Sequence, residues 1–182
     1  MSKRALILID IQNDYFANGK WPLAGMDSAT ANAARVLAAA RQAGDKVIHV
    51  CHEFESADAP FLAPDSAGAS IHPQVQPLPG EAVVLKHQIN AFLGTDLKAQ
   101  LDAAGIEQIT LVGAMSHMCI DAAARASADF GYATAVIHNA CATRDQEFEG
   151  RGIAAEQVHA AYMAALAFAY AGVVSTEQYL AD

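Results

Sequence analysis

The chain has 182 residues, enough for one folded unit with a full core and short for two. Its residues are 53% hydrophobic and 17% charged, which excludes extensive disorder. The formal net charge of -9 would repel a phosphate backbone, and no basic stripe with interleaved aromatics offsets it, so nucleic acid is excluded as a partner.

The first predicted element is a strand at ALILI (5–9). Two basic residues precede it as in a signal peptide, but Asp10 interrupts the apolar run too early, so no export signal is expected. DSATANAARVLAAARQAG (27–44) predicts a helix with an Asp/Ser cap at its start and Gly44 at its end. A second strand follows at KVIHV (46–50). From Cys51 to Gly80 all periodicity stops, and the stretch holds five of the six prolines. An irregular insertion of that length inside a compact domain is usually functional. Residues 51–80 are therefore expected to form a wall or lid over the site of a single domain spanning 1–182.

AVVLK (82–86) and QITLV (108–112) are the third and fourth strands. Between them GTDLKAQLDAAG (94–105) predicts a helix capped by Thr95, with Leu97, Leu101 and Ala104 on one face. CIDAAARASADFG (119–131) reads as a helix, TAVIH (134–138) as a strand, 154–171 as a helix and GVVST (172–176) as the last strand. The apolar run at 160–174 is too short for a membrane span and contains a helix-to-strand glycine, so no membrane partner is expected. The strands are continuous rather than alternating, as in sheets buried on both faces. Alternating strand and helix then predicts an α/β protein, a three-layer α/β/α sandwich on a mostly parallel sheet of about six strands. The three cysteines lie at wide spacings with no CxxC pair, which points to a reduced, cytoplasmic setting.

In an open parallel sheet, ligands bind beyond the carboxyl ends of the strands. Three reactive side chains fall there: Asp10, Lys86 and Cys119. Singly, each has a plain reading, as a turn residue, a solvated strand end and a small apolar packing residue. Together they supply a thiol, a carboxylate able to take its proton and a cation. A thiol with an ordinary pKa of about 8.5 needs such help at neutral pH, and a helix start and a cation lower that value.

LILIDIQNDYF, GEAVVLKHQINAF, LVGAMSHMCIDAAARAS and GYATAVIHNACATRD occur in order along nearly the whole chain. In this the sequence resembles the isochorismatase-like cysteine hydrolases, a family that includes nicotinamidases and N-carbamoylsarcosine amidohydrolase. The resemblance implies a Rossmann-like sheet and a catalytic triad of Asp10 as general base, Lys86, and Cys119 as nucleophile. It implies a cis peptide between Ala114 and Met115, and an oxyanion hole from the backbone N–H groups of Met115 and Cys119. A homo-oligomer acting on a small-molecule substrate, with no organic cofactor, is implied too. Isochorismatase itself has no cysteine at the nucleophile position, so Cys119 favours the amidase-like branch.

Gln12 and Asp14 are candidates for holding Asp10 and Lys86 or for capping the turn; Tyr15, Trp21, Phe92 and His117 are candidates for the substrate pocket or for packing. Nicotinamidases carry an aspartate and histidines after the second strand. HVCHEFESAD does not reproduce that pattern at His49, His52 and Glu53, so no metal is expected. His72 is expected to organise the long loop, Asn90 stands where serine is common in relatives, and Cys51 and Cys141 read as structural. The expected function is cysteine-dependent hydrolysis of a C–N, amide-type bond through a thioester. The alternative is a catalytically silent ligand-binding or assembly protein on the same scaffold.

Overall fold

The computed structural model describes residues 2–181. In chain order its strands are β1 (Arg4–Ile9), β2 (Lys46–His52), β3 (Ala82–Lys86), β4 (Gln108–Ala114), β5 (Ala133–Ala142), β6 (Gln146–Phe148), β7 (Arg151–Ile153) and β8 (Gly172–Val174). Its helices are α1 (Met26–Ala43), α2 (Leu97–Ala103), α3 (Asp121–Asp129), α4 (Ala155–Ala169) and α5 (Thr176–Ala181). Six strands form one parallel sheet in the order β3-β2-β1-β4-β5-β8. The order reverses between β1 and β4, so the crevice at their carboxyl ends is the topological switch point where such sheets bind ligands.

The apolar strands are continuous because both faces are covered. Along β1, Ala5, Ile7 and Ile9 face one core with residues of α2, α3 and α4, while Leu6 and Leu8 face a second core with α1. Each fully buried aliphatic side chain is worth about 1.5–3 kcal/mol relative to exposure, so strand alternation and helix placement specify each other. No helix among the described residues is long and apolar enough to cross a membrane.

The structure departs from the expected elements at several ends. Helix α1 is entered through Gly25 in a left-handed conformation, with no side-chain cap from Asp27 or Ser28. Thr95 does accept from the Leu97 amide at 3.3 Å, but Asp96 is the residue that flanks the helix. Strand β5 runs on through Ala142, well past the expected TAVIH. The β6/β7 hairpin and α5 were not expected. The hairpin turns at Glu149 and Gly150, both with positive φ, a conformation that Asn-Gly or Asp-Gly would have signalled and Glu-Gly does not. The last strand stops at Val174 because Asn139 Oδ1 accepts from both the amide and the hydroxyl of Thr176, at 2.8 Å each, and starts α5.

One polar cluster ties α1 to the edge of the sheet. The Glu81 carboxylate accepts from Arg41 Nε at 2.7 Å, from Arg41 Nη2 at 2.8 Å and from the Leu78 amide at 2.9 Å, and His49 Nε2 lies 3.0 Å from it. The Arg41 bonds first, then the Leu78 amide and His49, overcome partial burial and hold the Glu81 carboxyl at about 2, below its ordinary 4.5. Because that value is depressed in the folded state, the associated stability is present above pH 4.5 and is lost as pH falls towards 2. Glu81→Gln is expected to cost about 1–3 kcal/mol in chemical unfolding at pH 7. It should also flatten the stability loss across that acid window in melts recorded against pH.

Candidate active site

Lys86 ends β3 and is the in-register neighbour of His52 on β2, so the two side chains leave the sheet side by side. Strands lie about 4.8 Å apart, which puts the Lys86 backbone roughly 10 Å from β1. Its long side chain spans that gap over the end of β2. Lys86 Nζ lies 2.9 Å from Asp10 Oδ2 and 3.3 Å from Cys119 Sγ. All three residues are buried: Asp10 is 0%, Lys86 1% and Cys119 3% exposed.

The backbone aims these groups. Asp10, the residue after β1, has φ of 52°, a left-handed conformation rare outside glycine, while its amide still donates to Val50 O at 2.9 Å. The chain thus leaves the strand at the point where its carboxylate turns into the crevice. On the neighbouring strand Gly113 has φ of 125°, and a Cβ there would collide with Ile9 O, so only glycine lets β4 close on β1 at this level. The Ala114–Met115 peptide is cis.

Next comes a wide helical turn, Ser116–Ile120, before α3 begins at Asp121, so Cys119 lies inside this turn rather than at the start of a regular helix. The Met118 and Ile120 amides both donate to Met115 O, at 3.0 and 3.2 Å. Ser116 Oγ is held by His159 Nδ1 at 2.8 Å and Ala142 O at 3.3 Å, and His117 Nδ1 lies 2.6 Å from Thr143 Oγ1. The turn is therefore clamped to the end of β5 and to α4.

Burial first, and then the Asp10 carboxylate, push the Cys119 thiol well above its ordinary value, with only Lys86 pulling the other way. This differs from the expectation that a helix start and a cation would favour the thiolate: three-hundredths exposure and an adjacent anion outweigh one ammonium. Burial opposes the Lys86 charge, yet Asp10 and then Cys119 overcome it and raise its pKa. The resting arrangement is thus a neutral thiol beside an ammonium–carboxylate pair. Apart from Lys86, neither Asp10 oxygen has a partner among the described residues, so the carboxylate is open to a proton. Tyr15 is buried beside this group, and burial first, then the charge of Asp10, raise its phenol.

Gln12 and Asp14 make no hydrogen bond with Asp10 or Lys86; they fasten the end of β2 and the expected irregular stretch, which starts only after His52. Gln12 Nε2 donates to His52 O at 2.8 Å and Ala69 O at 2.6 Å, and its Oε1 accepts from the His52 amide at 2.9 Å. Asp14 accepts from the Leu62 amide at 2.7 Å and the Lys20 amide at 3.1 Å. His72 stacks on Phe16 at 3.8 Å and donates its amide to Ile11 O, so it does organise this stretch.

Trp21 stacks on Phe61 at 4.4 Å, and Phe54 meets both Phe61 and the His52 ring edge-on. Phe92 packs against Phe130 at 5.3 Å, within the core formed with α2 and α3. Asn90 Oδ1 accepts from the Phe92 amide at 3.0 Å and so fixes its own turn. Cys141 is buried at the end of β5 and Cys51 is half-buried with Sγ on Val84 O. Among the described residues no three of His, Cys, Asp and Glu gather as a metal ion would need. Sequence reasoning weighed His52 only as a metal ligand and missed Ser116 and His159; their partners lie 34 and 43 residues away and are brought near only by strand order and helix packing.

Residues 4–178 match the isochorismatase domain family. The uncharacterised isochorismatase family protein YddQ of Bacillus subtilis is 45% identical over 176 residues, covering 97% of this chain and 98% of its own. Maleamate amidohydrolase of Pseudomonas putida is 31% identical over 160 residues, covering 80% and 75%. Among solved structures, an isochorismatase-type hydrolase from Oleispira antarctica superimposes with a TM-score of 0.95 at 54% identity, covering 98% of this chain and 96% of that one.

The tether between Asp14 and the 51–80 stretch leaves no room at Gly68, where a Cβ would overlap the Asp14 carboxylate. Gly68→Ala is expected to cost about 1–3 kcal/mol of stability. Limited proteolysis should then cut within residues 51–80 faster than in the parent protein, while sites in α1 and α4 stay protected.

Proposed function

The chain belongs to the isochorismatase family, and from that premise we propose that it hydrolyses a C–N, amide-type bond of a small molecule through a thioester on Cys119. The observation that carries the reading is the buried contact of one ammonium with both a carboxylate and a thiol, Lys86 to Asp10 at 2.9 Å and to Cys119 at 3.3 Å. The relative named maleamate amidohydrolase supports an amide as the target class.

Asp10 takes the proton from Cys119 Sγ as the sulfur bonds to the carbonyl carbon. The electron pair of the carbonyl moves onto its oxygen, beside the backbone N–H groups of Met115 and Cys119. When the tetrahedral adduct collapses, the C–N bond breaks and Asp10 returns its proton to the departing nitrogen, which leaves as ammonia or an amine. A water then attacks the thioester and gives a proton to Asp10, which passes it to the released sulfur. Lys86 keeps Asp10 in place and supplies positive charge near the sulfur throughout. Every proton in this cycle is held by Asp10, Cys119, the leaving nitrogen or water, so no organic cofactor is required.

A panel of small amides, including nicotinamide and N-carbamoyl compounds, assayed for ammonia release identifies the substrate group. With a substrate in hand, Cys119→Ala is expected to lower kcat by about a thousandfold or more. Asp10→Asn should lower it by roughly a hundred- to ten-thousandfold with the fold intact by circular dichroism. Undiminished turnover in Cys119→Ala would remove the mechanism. No ammonia from any amide in the panel would favour the silent ligand-binding alternative.

A further inference from the structure

Lysine offers three N–H donors and no acceptor, yet Lys86 Nζ has four acceptors in reach. These are Asp10 Oδ2 at 2.9 Å, His52 Nδ1 at 3.0 Å, Gln88 O at 3.1 Å and Cys119 Sγ at 3.3 Å. His52 is the one member that neither the triad nor the backbone accounts for. It is 5% exposed, it flanks Lys86 in the strand register, and its ring is packed edge-on against Phe54 at 4.9 Å and 81°. Its main chain is bracketed by one buried side-chain amide: Gln12 Oε1 accepts the His52 N–H and Gln12 Nε2 donates to the His52 carbonyl. That bracket sets the position from which the ring reaches Lys86.

We propose that His52 is a positioning residue for Lys86: as a neutral ring protonated on Nε2, it accepts from the ammonium through Nδ1 and keeps it over Asp10 when the Cys119 sulfur bonds to substrate. The inference rests on reading Asp10, Lys86 and Cys119 as the reacting groups. In the resting site the fourth acceptor is redundant. Once the sulfur becomes a thioester it is a poor acceptor, and Asp10, Gln88 and His52 then match the three N–H groups one for one.

An imidazolium 3.0 Å from an ammonium would repel it, so the role needs the neutral ring. The groups that face His52 are Lys86 and His87 from the end of β3 and Asp10 from the end of β1. Burial and then Lys86 lower its pKa to about 4, with Asp10 opposing. The ring therefore stays neutral at and above neutral pH.

The test uses the intact protein and two variants. Histidine-selective nitrogen NMR of the parent protein between pH 5.5 and 8 should show His52 with an unprotonated Nδ1 and a protonated Nε2 throughout. An Nδ1–H tautomer or an imidazolium would overturn the proposal, whatever the variants do. His52→Leu removes the acceptor; His52→Asn restores an oxygen close to the Nδ1 position. His52→Leu is expected to slow iodoacetamide alkylation of Cys119, followed by mass spectrometry, by roughly tenfold or more, as for loss of a hydrogen bond to a charged group. It should lower kcat on any amide found above by a similar factor with KM little changed, and His52→Asn should recover most of both. Equal losses in the two variants, or no loss in His52→Leu, would overturn the proposal. Full activity in Cys119→Ala would instead remove the triad reading on which it rests, so the two failures are distinct.

Discussion

A buried ammonium is the constraint around which this site is built. Taking a lysine charge out of water costs several kcal/mol even after relaxation, and the cost is offset only where acceptors surround it in good geometry. Lys86 is 1% exposed and begins on an edge strand, two strands from β1. Its partners must therefore come to the carboxyl ends of neighbouring strands. They do so in the order of the sheet: Lys86 on β3, His52 on β2, Asp10 after β1 and Cys119 after β4. The left-handed backbone at Asp10 and the glycine at 113 are the local concessions that let the carboxylate and the sulfur approach one cation from two sides.

The same constraint decides where the proton rests. One ammonium balances one carboxylate; a thiolate in addition would leave a net negative charge in a region closed to water. Burial and Asp10 accordingly push the thiol up, with only Lys86 opposing. In the proposed cycle the proton moves to Asp10 as negative charge moves out to the substrate oxygen, so the buried group would never hold two anions against one cation. A carboxylate without competing hydrogen bonds is the complement such a transfer requires.

Much of this was legible in the sequence. Continuous Val/Ile/Leu runs separated by alanine-rich periodic segments specify a parallel sheet covered on both faces, and the ends of those runs mark where reactive residues gather. Strand order was not legible, because periodicity says which face a residue takes and not which strand is its neighbour. His52 is the consequence. In HVCHEFESAD it reads as an incomplete metal pattern, and it becomes a partner of Lys86 only when β2 is found between β1 and β3. The wide turn carrying Cys119 was missed for a related reason: Ser116 and His117 are held by His159, Ala142 and Thr143, contacts made at distances no local pattern encodes. The β6/β7 hairpin escaped because Glu149 adopts a turn conformation that its side chain does not favour.

The five residues from Asp10 to Asp14 join the chemistry to the wall beside it. Asp10 supplies the carboxylate, and the next three polar side chains fasten the 51–80 stretch: Gln12 to His52 and Ala69, Asn13 to Ala67, and Asp14 to Leu62. Each of these bonds is made to a main-chain atom. A loop satisfied in this way needs no secondary structure to answer its buried amides and carbonyls. His72, stacked on Phe16, and the buried Leu62 and Val75 add side-chain anchors. Phe54 and Phe61 build an aromatic wall with Tyr15 and Trp21, and Phe54 carries that wall onto the His52 ring beside Lys86.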